Sequence, residues 1–284
     1  MPALRLFIVA MLLTGSCAIA GELEADLATG DKLLKDRLPL EVGFFKTTYM
    51  QMTMPDGSGG YGVVTLTAEN RDGSIVFKYK TEGMIKLRRI RANNSCTAVL
   101  DRTFRPLEYT CDQTMQEADG AARASSLSAK ISLDGKIQAA ETTDGQTTQE
   151  EYCIENVGFV WPAGEVLKFL KLGGVESFAL RELNPNGQPA PPKLDAQGKF
   201  LPGGRTYEPV TFQFSVSRKE DGSYRIGGRR TGKPMEVRYE YDRSGELVSF
   251  LTFAVGSDGT SKQLAEWKVT TKEDIEKLKA SLER

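Results

Sequence analysis

Seven Asp-Gly dipeptides, at Asp56, Asp72, Asp119, Asp134, Asp144, Asp221 and Asp258, punctuate this chain, and Asn186-Gly187 and Ser244-Gly245 add two more turn signals. Asp-Gly suits tight hairpins because both central residues of a type I′ turn need positive φ, which Gly and Asp tolerate. Hairpins repeated along a chain imply an antiparallel sheet.

The segments between the turns carry the period-two pattern of half-buried strands. Val210, Phe212, Phe214 and Val216 fall on one face and Thr211, Gln213, Ser215 and Ser217 on the other. Met235, Val237, Tyr239 and Tyr241 alternate likewise against Glu236, Arg238, Glu240 and Asp242, as do Ile75, Phe77 and Tyr79 in the first half. The pattern predicts about a dozen strands, from Lys46 to Tyr152 and from Val175 to Thr270.

Three helices are expected around them. Residues 22–37 form an amphipathic candidate broken at Gly30, and Pro162 to Leu172 has Pro near its start and Gly173-Gly174 behind it. Lys272 to Leu282 has an apolar stripe of Ile275, Leu278 and Leu282, with Thr270 and Glu273 fitting a capping box. Residues 184–204, rich in Pro and Gly, read as a long surface loop. The expected fold is mainly β: a curved antiparallel sheet or half-open barrel, with a central helix and N- and C-terminal helices.

The first twenty residues read as an export signal. Arg5 precedes the apolar run Leu6 to Leu13, and Ala18-Ile19-Ala20 is a small-x-small cleavage site before Gly21. A second reading cleaves before Cys17 and lipidates it, since Leu13 to Cys17 approximates a lipobox. Both place the mature chain outside the cytoplasm, where disulfides persist. The apolar run is too short to span a bilayer, and no transmembrane segment is expected after it. Residues 21–284 are read as one β-rich domain, with 21–160 and 161–284 as alternative halves.

In Cys96 to Cys111, "CTAVLDRTFRPLEYTC", a loop over Arg102 to Arg105 sets Asp101 opposite Pro106, Leu100 opposite Leu107 and Cys96 opposite Cys111. Directly opposed residues lie within disulfide reach, which predicts a Cys96–Cys111 bond. Cys153 is left over and is expected to be buried, flanked by Tyr152 and Ile154. The segment "LDRTFRPLEY" resembles one that recurs in uncharacterised exported bacterial proteins built on a long curved antiparallel sheet. These are similar in architecture to the lipoprotein-carrier proteins LolA and LolB of the cell envelope. The resemblance implies a hydrophobic concave face lidded by helices. Candidates for that face are Phe212, Phe214, Tyr239, Leu251 and Phe253, with Val166, Phe169 and Leu170 of the central helix over them; the alternative is that these residues form a packed core.

The chain contains no histidine, which removes Ser-His-Asp and Cys-His catalysis and the HExxH zinc site. No Gly-x-Ser-x-Gly or Ser-x-x-Lys occurs. "GSGGYG" at Gly57 to Gly62 and "GGRRTGKP" at Gly227 to Pro234 match nucleotide motifs loosely, but strand-like sequence follows each, and both read as hairpin loops. Charge is balanced, 37 Lys and Arg against 38 Asp and Glu, so no global field attracts nucleic acid. Lys86, Arg88, Arg89 and Arg91, and Arg225, Arg229, Arg230, Lys233 and Arg238, read as cross-strand partners of acids such as Glu236, Glu240 and Glu266. No metal, cofactor, nucleic acid or catalytic residue is expected. The expected role is a non-catalytic envelope protein binding a hydrophobic or amphipathic small molecule. The alternatives are a carboxylate-based hydrolase of envelope polysaccharide and an assembly subunit joined through sheet edges.

Overall fold

A computed structural model describes residues 22–37, 44–85, 90–116, 120, 122–143, 145–153, 166–183, 188–189, 193–194, 200–201, 205–206, 210–231, 234–256 and 259–282. The expected export signal with Cys17, and Lys86, Arg88, Arg89, Pro162, Lys233 and most of 184–204, lie outside that set. Eight strands follow one another as hairpins: β1 (Phe44–Thr53), β2 (Gly59–Arg71), β3 (Ser74–Ile85), β4 (Ile90–Leu100), β5 (Pro106–Gln116), β6 (Arg123–Ile131), β7 (Lys136–Thr143) and β8 (Gln146–Cys153). After β9 (Ser177–Glu182) come four two-residue strands, β10 (Gln188–Pro189), β11 (Lys193–Leu194), β12 (Phe200–Leu201) and β13 (Arg205–Thr206). A second run of hairpins then follows: β14 (Val210–Arg218), β15 (Tyr224–Arg230), β16 (Met235–Tyr241), β17 (Leu247–Val255) and β18 (Ser261–Thr270). Helix α1 spans 22–35 and α2 spans Lys272–Leu282.

The two runs are one sheet. β1 pairs with β18, giving a 14-stranded antiparallel order 8-7-6-5-4-3-2-1-18-17-16-15-14-9. The mainly β, curved and barrel-like architecture is as the sequence predicts. The two edge strands, β8 and β9, are consecutive in sequence, so the chain must cross from one edge of the sheet to the other between them.

That crossing fills the interior. A barrel of about eight strands is closed by its own side chains, whereas more strands enclose more space than side chains reach. Here Val166, Leu167, Phe169, Leu170 and Leu172 of the crossing segment, with Leu33 and Leu34 of α1, join the concave sheet face in one buried cluster. The floor of that cluster alternates large and small across the ladder. Phe44 opposes Ala68, Ala68 opposes Phe77, Phe77 opposes Ala98, and Ala98 opposes Tyr109. Small residues between rings let the covering segments sit deep, and each fully buried Leu or Phe contributes roughly 1.5–3 kcal/mol.

Several expectations are corrected. Helix α1 runs unbroken through Gly30, because the helix lies so close to β9 that a Cβ at Gly30 would meet the Ala179 carbonyl oxygen at 2.0 Å. The expected helix of residues 162–172 is, within its described part, a 3-10 turn over Leu167–Phe169 that ends where Leu170 turns extended. Within 184–204 the described pieces are not all loop: Gln188 pairs with Thr206, and Lys193 with Leu201. Helix α2 has its expected limits, but its cap is Thr271, whose hydroxyl accepts from the Asp274 amide at 3.2 Å. Its stripe of Ile275, Leu278 and Leu282 packs on Tyr61, Met84, Tyr49 and Val63, on the convex face. Cys153 is exposed, near the end of an edge strand whose residues are mostly exposed, rather than buried. Neither glycine motif is wholly a hairpin loop: the first four residues of "GGRRTGKP" lie inside β15, and the last four of "GSGGYG" inside β2.

The turns differ from the type I′ expectation in an instructive way. Asp72 and Gly73 both have positive φ, 50° and 84°, and join β2 to β3 directly. In the turns holding Gly57, Gly135, Gly222 and Gly245 only the glycine is left-handed, and Gly259 has the same left-handed φ. There the glycine amide donates back three residues, as Gly222 does to Lys219 at 3.1 Å, while the fifth residue's carbonyl accepts from the first amide. An aspartate side chain accepts the next free amide, as Asp221 does from Ser223 at 2.9 Å. This is the type I turn with a left-handed closing residue.

The β4–β5 turn has the same frame with Phe104 in the glycine position. Asp101 donates its amide to Arg105, Phe104 donates to Asp101 at 3.1 Å, and the Asp101 carboxylate accepts from Thr103 and Arg105. Phe104 has φ of 63° and is fully buried. A left-handed conformation is unfavourable for a bulky residue and persists only where surroundings enforce it; here the ring is held in the core. The turn inserts a bulge, so Leu100 opposes Pro106 and not Leu107, yet Cys96 opposes Cys111 as expected.

Candidate functional site

Phe169, at the centre of the crossing segment, organises the concave side. Its ring lies 5.9 Å from Phe104 and 6.0 Å from Phe77, in the packed core, and 5.5 Å from Phe44 in an edge-on contact. Arg218 of β14 donates to the Leu172 carbonyl, and to that of Val175 at 3.3 Å, tying the segment to the sheet. Beyond Phe44 the interior is not filled. A cleft of about 730 Å³ lies between the crossing segment and the sheet where its two halves join.

The cleft wall is aromatic. Phe44, Tyr79, Phe169, Tyr224, Tyr239, Tyr241 and Phe250 line it, with Met50, Leu66, Leu170, Leu247 and Val269. Tyr224 and Tyr241 stack at 4.9 Å, Tyr239 and Phe250 sit 6.0 Å apart, and Phe250 stacks on Trp267 at 5.6 Å. Cross-strand register creates these contacts: Tyr224 opposes Tyr241, Tyr239 opposes Phe250, and Phe250 opposes Trp267. Burial pushes the Tyr224 hydroxyl pKa up, Arg218 opposes the shift, and Asp242 and Glu246 reinforce it. The phenol is therefore a neutral hydroxyl that can donate or accept. Charged groups sit at one side: Lys46 pairs with Glu246 of the β16–β17 turn, and the Lys168 ammonium lies 5.8 Å from the Phe44 ring centre and 5.9 Å from that of Phe169. Size and lining match small-molecule pockets, which are concave, mostly apolar and furnished with a few polar groups.

The residues that sequence reasoning singled out fall in three places. Phe169 and Tyr239 line the cleft. Phe212 and Phe214 are on the concave side but stack at 6.0 Å on each other, and Phe214 on Phe178 at 4.9 Å, in the packed core. Leu251 and Phe253 are on the convex face, which corrects the expected placement. Leu251 opposes Arg238, the neighbour of Tyr239 on the other side of the pleat, and Phe253 lies 4.2 Å beneath the Arg238 guanidinium. The strand Leu247–Val255 carries large apolar side chains in both phases, so alternation alone cannot choose between Phe250 and Leu251. The missed lining residues are Phe44, Tyr79, Tyr224, Tyr241 and Phe250; the register of Tyr239 with Phe250 is the signal that identifies the last.

The disulfide Cys96–Cys111 is present, on the concave face, with both cysteines buried and their Cα atoms 4.0 Å apart. Basic and acidic side chains pair on the convex face. Arg225 bonds its cross-strand neighbour Glu240, which Lys219 also reaches at 3.2 Å, and Arg238 bonds Glu236 at 2.7 Å. Partial burial works against ionised Glu240, but the bonds from Arg225 and Lys219 prevail and lower its pKa. Each described carboxylate with a resolved shift, Glu151, Glu240 and the aspartates at 56, 134, 221, 242 and 274, is lowered. A carboxylic general acid requires the opposite shift.

Fold and site together define an open, barrel-like antiparallel sheet with an internal crossing segment and an aromatic concave cleft. No family model matches the chain, and no curated protein matches it. Among solved structures, a beta-barrel-like protein of a domain of unknown function, DUF1849, from Brucella abortus is similar to it at 10% identity and a TM-score of 0.48, covering 79% of this chain and 95% of that chain.

Proposed function

We propose that this chain is a non-catalytic, exported cell-envelope protein that binds an amphipathic ligand in its concave cleft, folding as one unit over residues 21–284. The observation that carries the reading is the aromatic cleft of about 730 Å³ left beside an otherwise filled interior. Tyrosines dominate its wall, offering apolar ring faces together with hydroxyls, which suits a ligand with both characters. Export rests on the leading apolar run with its small-residue site, and on the buried Cys96–Cys111 bond, a feature of oxidising compartments. The resemblance to envelope lipoprotein carriers agrees with that role. Native mass spectrometry of protein purified from its own host tests it. A bound amphiphile, or stoichiometric uptake of dodecyl maltoside below its micelle concentration, is expected; recovery of only the bare chain under both conditions would overturn the reading.

A further inference from the structure

One row of the concave face runs out of the cleft and across the sheet. Thr48 and Val64 of the cleft wall are in register with Thr81, Asn94, Gln113 and Ser125 of β3 to β6. Directly opposed residues share a face, so the last four continue the wall, and each is an uncharged hydrogen-bonding side chain. Gln113 is exposed, and Thr81, Asn94 and Ser125 are half-buried. The two flanking rows carry charge across β1 to β6 only at their ends, Lys46 on one and Arg123 on the other, and Lys46 is held by Glu246. The opposite face of β3 and β5 instead carries Lys78, Lys80, Glu82, Glu108 and Asp112. Within the row the Asn94 amide donates to the Thr81 hydroxyl at 3.1 Å, and the Asn94 Oδ1 is buried with no hydrogen-bond partner among the described residues.

From this row we infer that the ligand is a glycolipid-like amphiphile, whose uncharged saccharide head of two or more units lies on Thr81, Asn94, Gln113 and Ser125. Its hydrocarbon part lies in the cleft along Phe169, Tyr239 and Phe250. The inference rests on the amphipathic reading and adds the chemistry of the head. Hydroxyls and carboxamides both donate and accept, as sugar hydroxyls do. A buried acceptor left unpaired is costly, and a ligand hydroxyl that donates to the Asn94 Oδ1 removes that cost. Neighbouring strands lie about 4.8 Å apart, so the four side chains span about 14 Å, which a saccharide covers and a glycerol head does not. A charged head on the same row gives up water and finds no counter-charge there.

Calorimetric titration of the full chain with dodecyl maltoside, monolaurin, laurate, dodecyltrimethylammonium and maltose, each below any micelle concentration, tests this. The first four carry alkyl or acyl chains of the same length and differ in the head. Dodecyl maltoside is expected to bind at least about tenfold tighter than each of the others. Thr81→Val, Asn94→Leu and Gln113→Leu should each weaken dodecyl maltoside several-fold and leave laurate within about twofold of the parent. A change in packing alone would weaken both probes together and leave their ratio fixed. Laurate or dodecyltrimethylammonium binding as tightly as dodecyl maltoside, or a ratio unmoved by all three substitutions, overturns the headgroup inference while the amphipathic reading stands. Monolaurin binding as tightly as dodecyl maltoside overturns the saccharide in the same way. Maltose alone binding as tightly as dodecyl maltoside, or failure of all five probes to bind, overturns the inference and the proposed function together.

Discussion

The two sides of Phe169 are built from the same residue types to opposite ends. On one side its ring meets Phe77 and the fully buried Phe104, and the ladder beneath alternates rings with alanines in one buried cluster. On the other side it meets Phe44, and the sheet carries tyrosines and Phe250 around a cleft. The packed side spends backbone strain to fill space, placing a phenylalanine where five sister turns place glycine. On the open side the described rings stack on each other around a cleft that the crossing segment borders. Space lined by rings is what a binding pocket offers and what a packed core avoids.

The comparison breaks most visibly at Phe104. Replacing it with Ala leaves both the left-handed backbone and a cavity, and is expected to cost about 3–5 kcal/mol in denaturant unfolding. Phe104→Gly restores the backbone preference, worth about 1–2 kcal/mol, and still leaves the cavity. It should therefore be less damaging than Phe104→Ala and remain less stable than the parent; a Phe104→Gly protein as stable as the parent would show that the ring does not hold the turn. Next in size is the disulfide. Replacing both Cys96 and Cys111 with Ser opens a loop with a separation of 15 residues, at an expected cost of about 3 kcal/mol, seen equally on reducing the parent.

On the open side the expected pattern inverts. Tyr239→Ala and Phe250→Ala should cost about 1 kcal/mol or less of stability and yet weaken amphiphile binding about tenfold or more, by calorimetry. Leu251→Ala, on the convex face, should leave binding within about twofold of the parent. The smallest effect is electrostatic. Glu240 has a folded pKa below its ordinary 4.5, so its contribution is present above that value and is lost as pH falls through the lowered one. Stability measured from pH 6 to 3 should fall less steeply in Glu240→Gln than in the parent.

How far the sequence foretells this depends on the range of each interaction. Alternation within Val210–Val216 and Met235–Tyr241, the Cys96–Cys111 register and the limits of α2 are local, and they stand in the structure. The β1–β18 pairing that unites the two runs, and the burial of Val166, Leu167, Phe169, Leu170 and Leu172 against the sheet, join segments far apart in sequence and leave no periodic trace. Gly30 reads as a helix breaker until the contact with Ala179 that requires it is seen. Phe104 reads as an ordinary turn residue for the same reason. The cleft is half legible: Tyr239 and Phe169 are among the residues that the resemblance to the envelope carriers implies, but Leu251 and Phe253 share their strand with Phe250, and only the register across β16 and β17 separates the phases.

A crystal structure of the chain grown with dodecyl maltoside tests the central claim most directly. The account predicts the hydrocarbon between Phe169 and Phe250 on the concave side, with Tyr239 against it. Ligand seated on the convex face by Leu251 and Phe253, or a cleft closed by the protein's own side chains with no ligand in it, would contradict the claim.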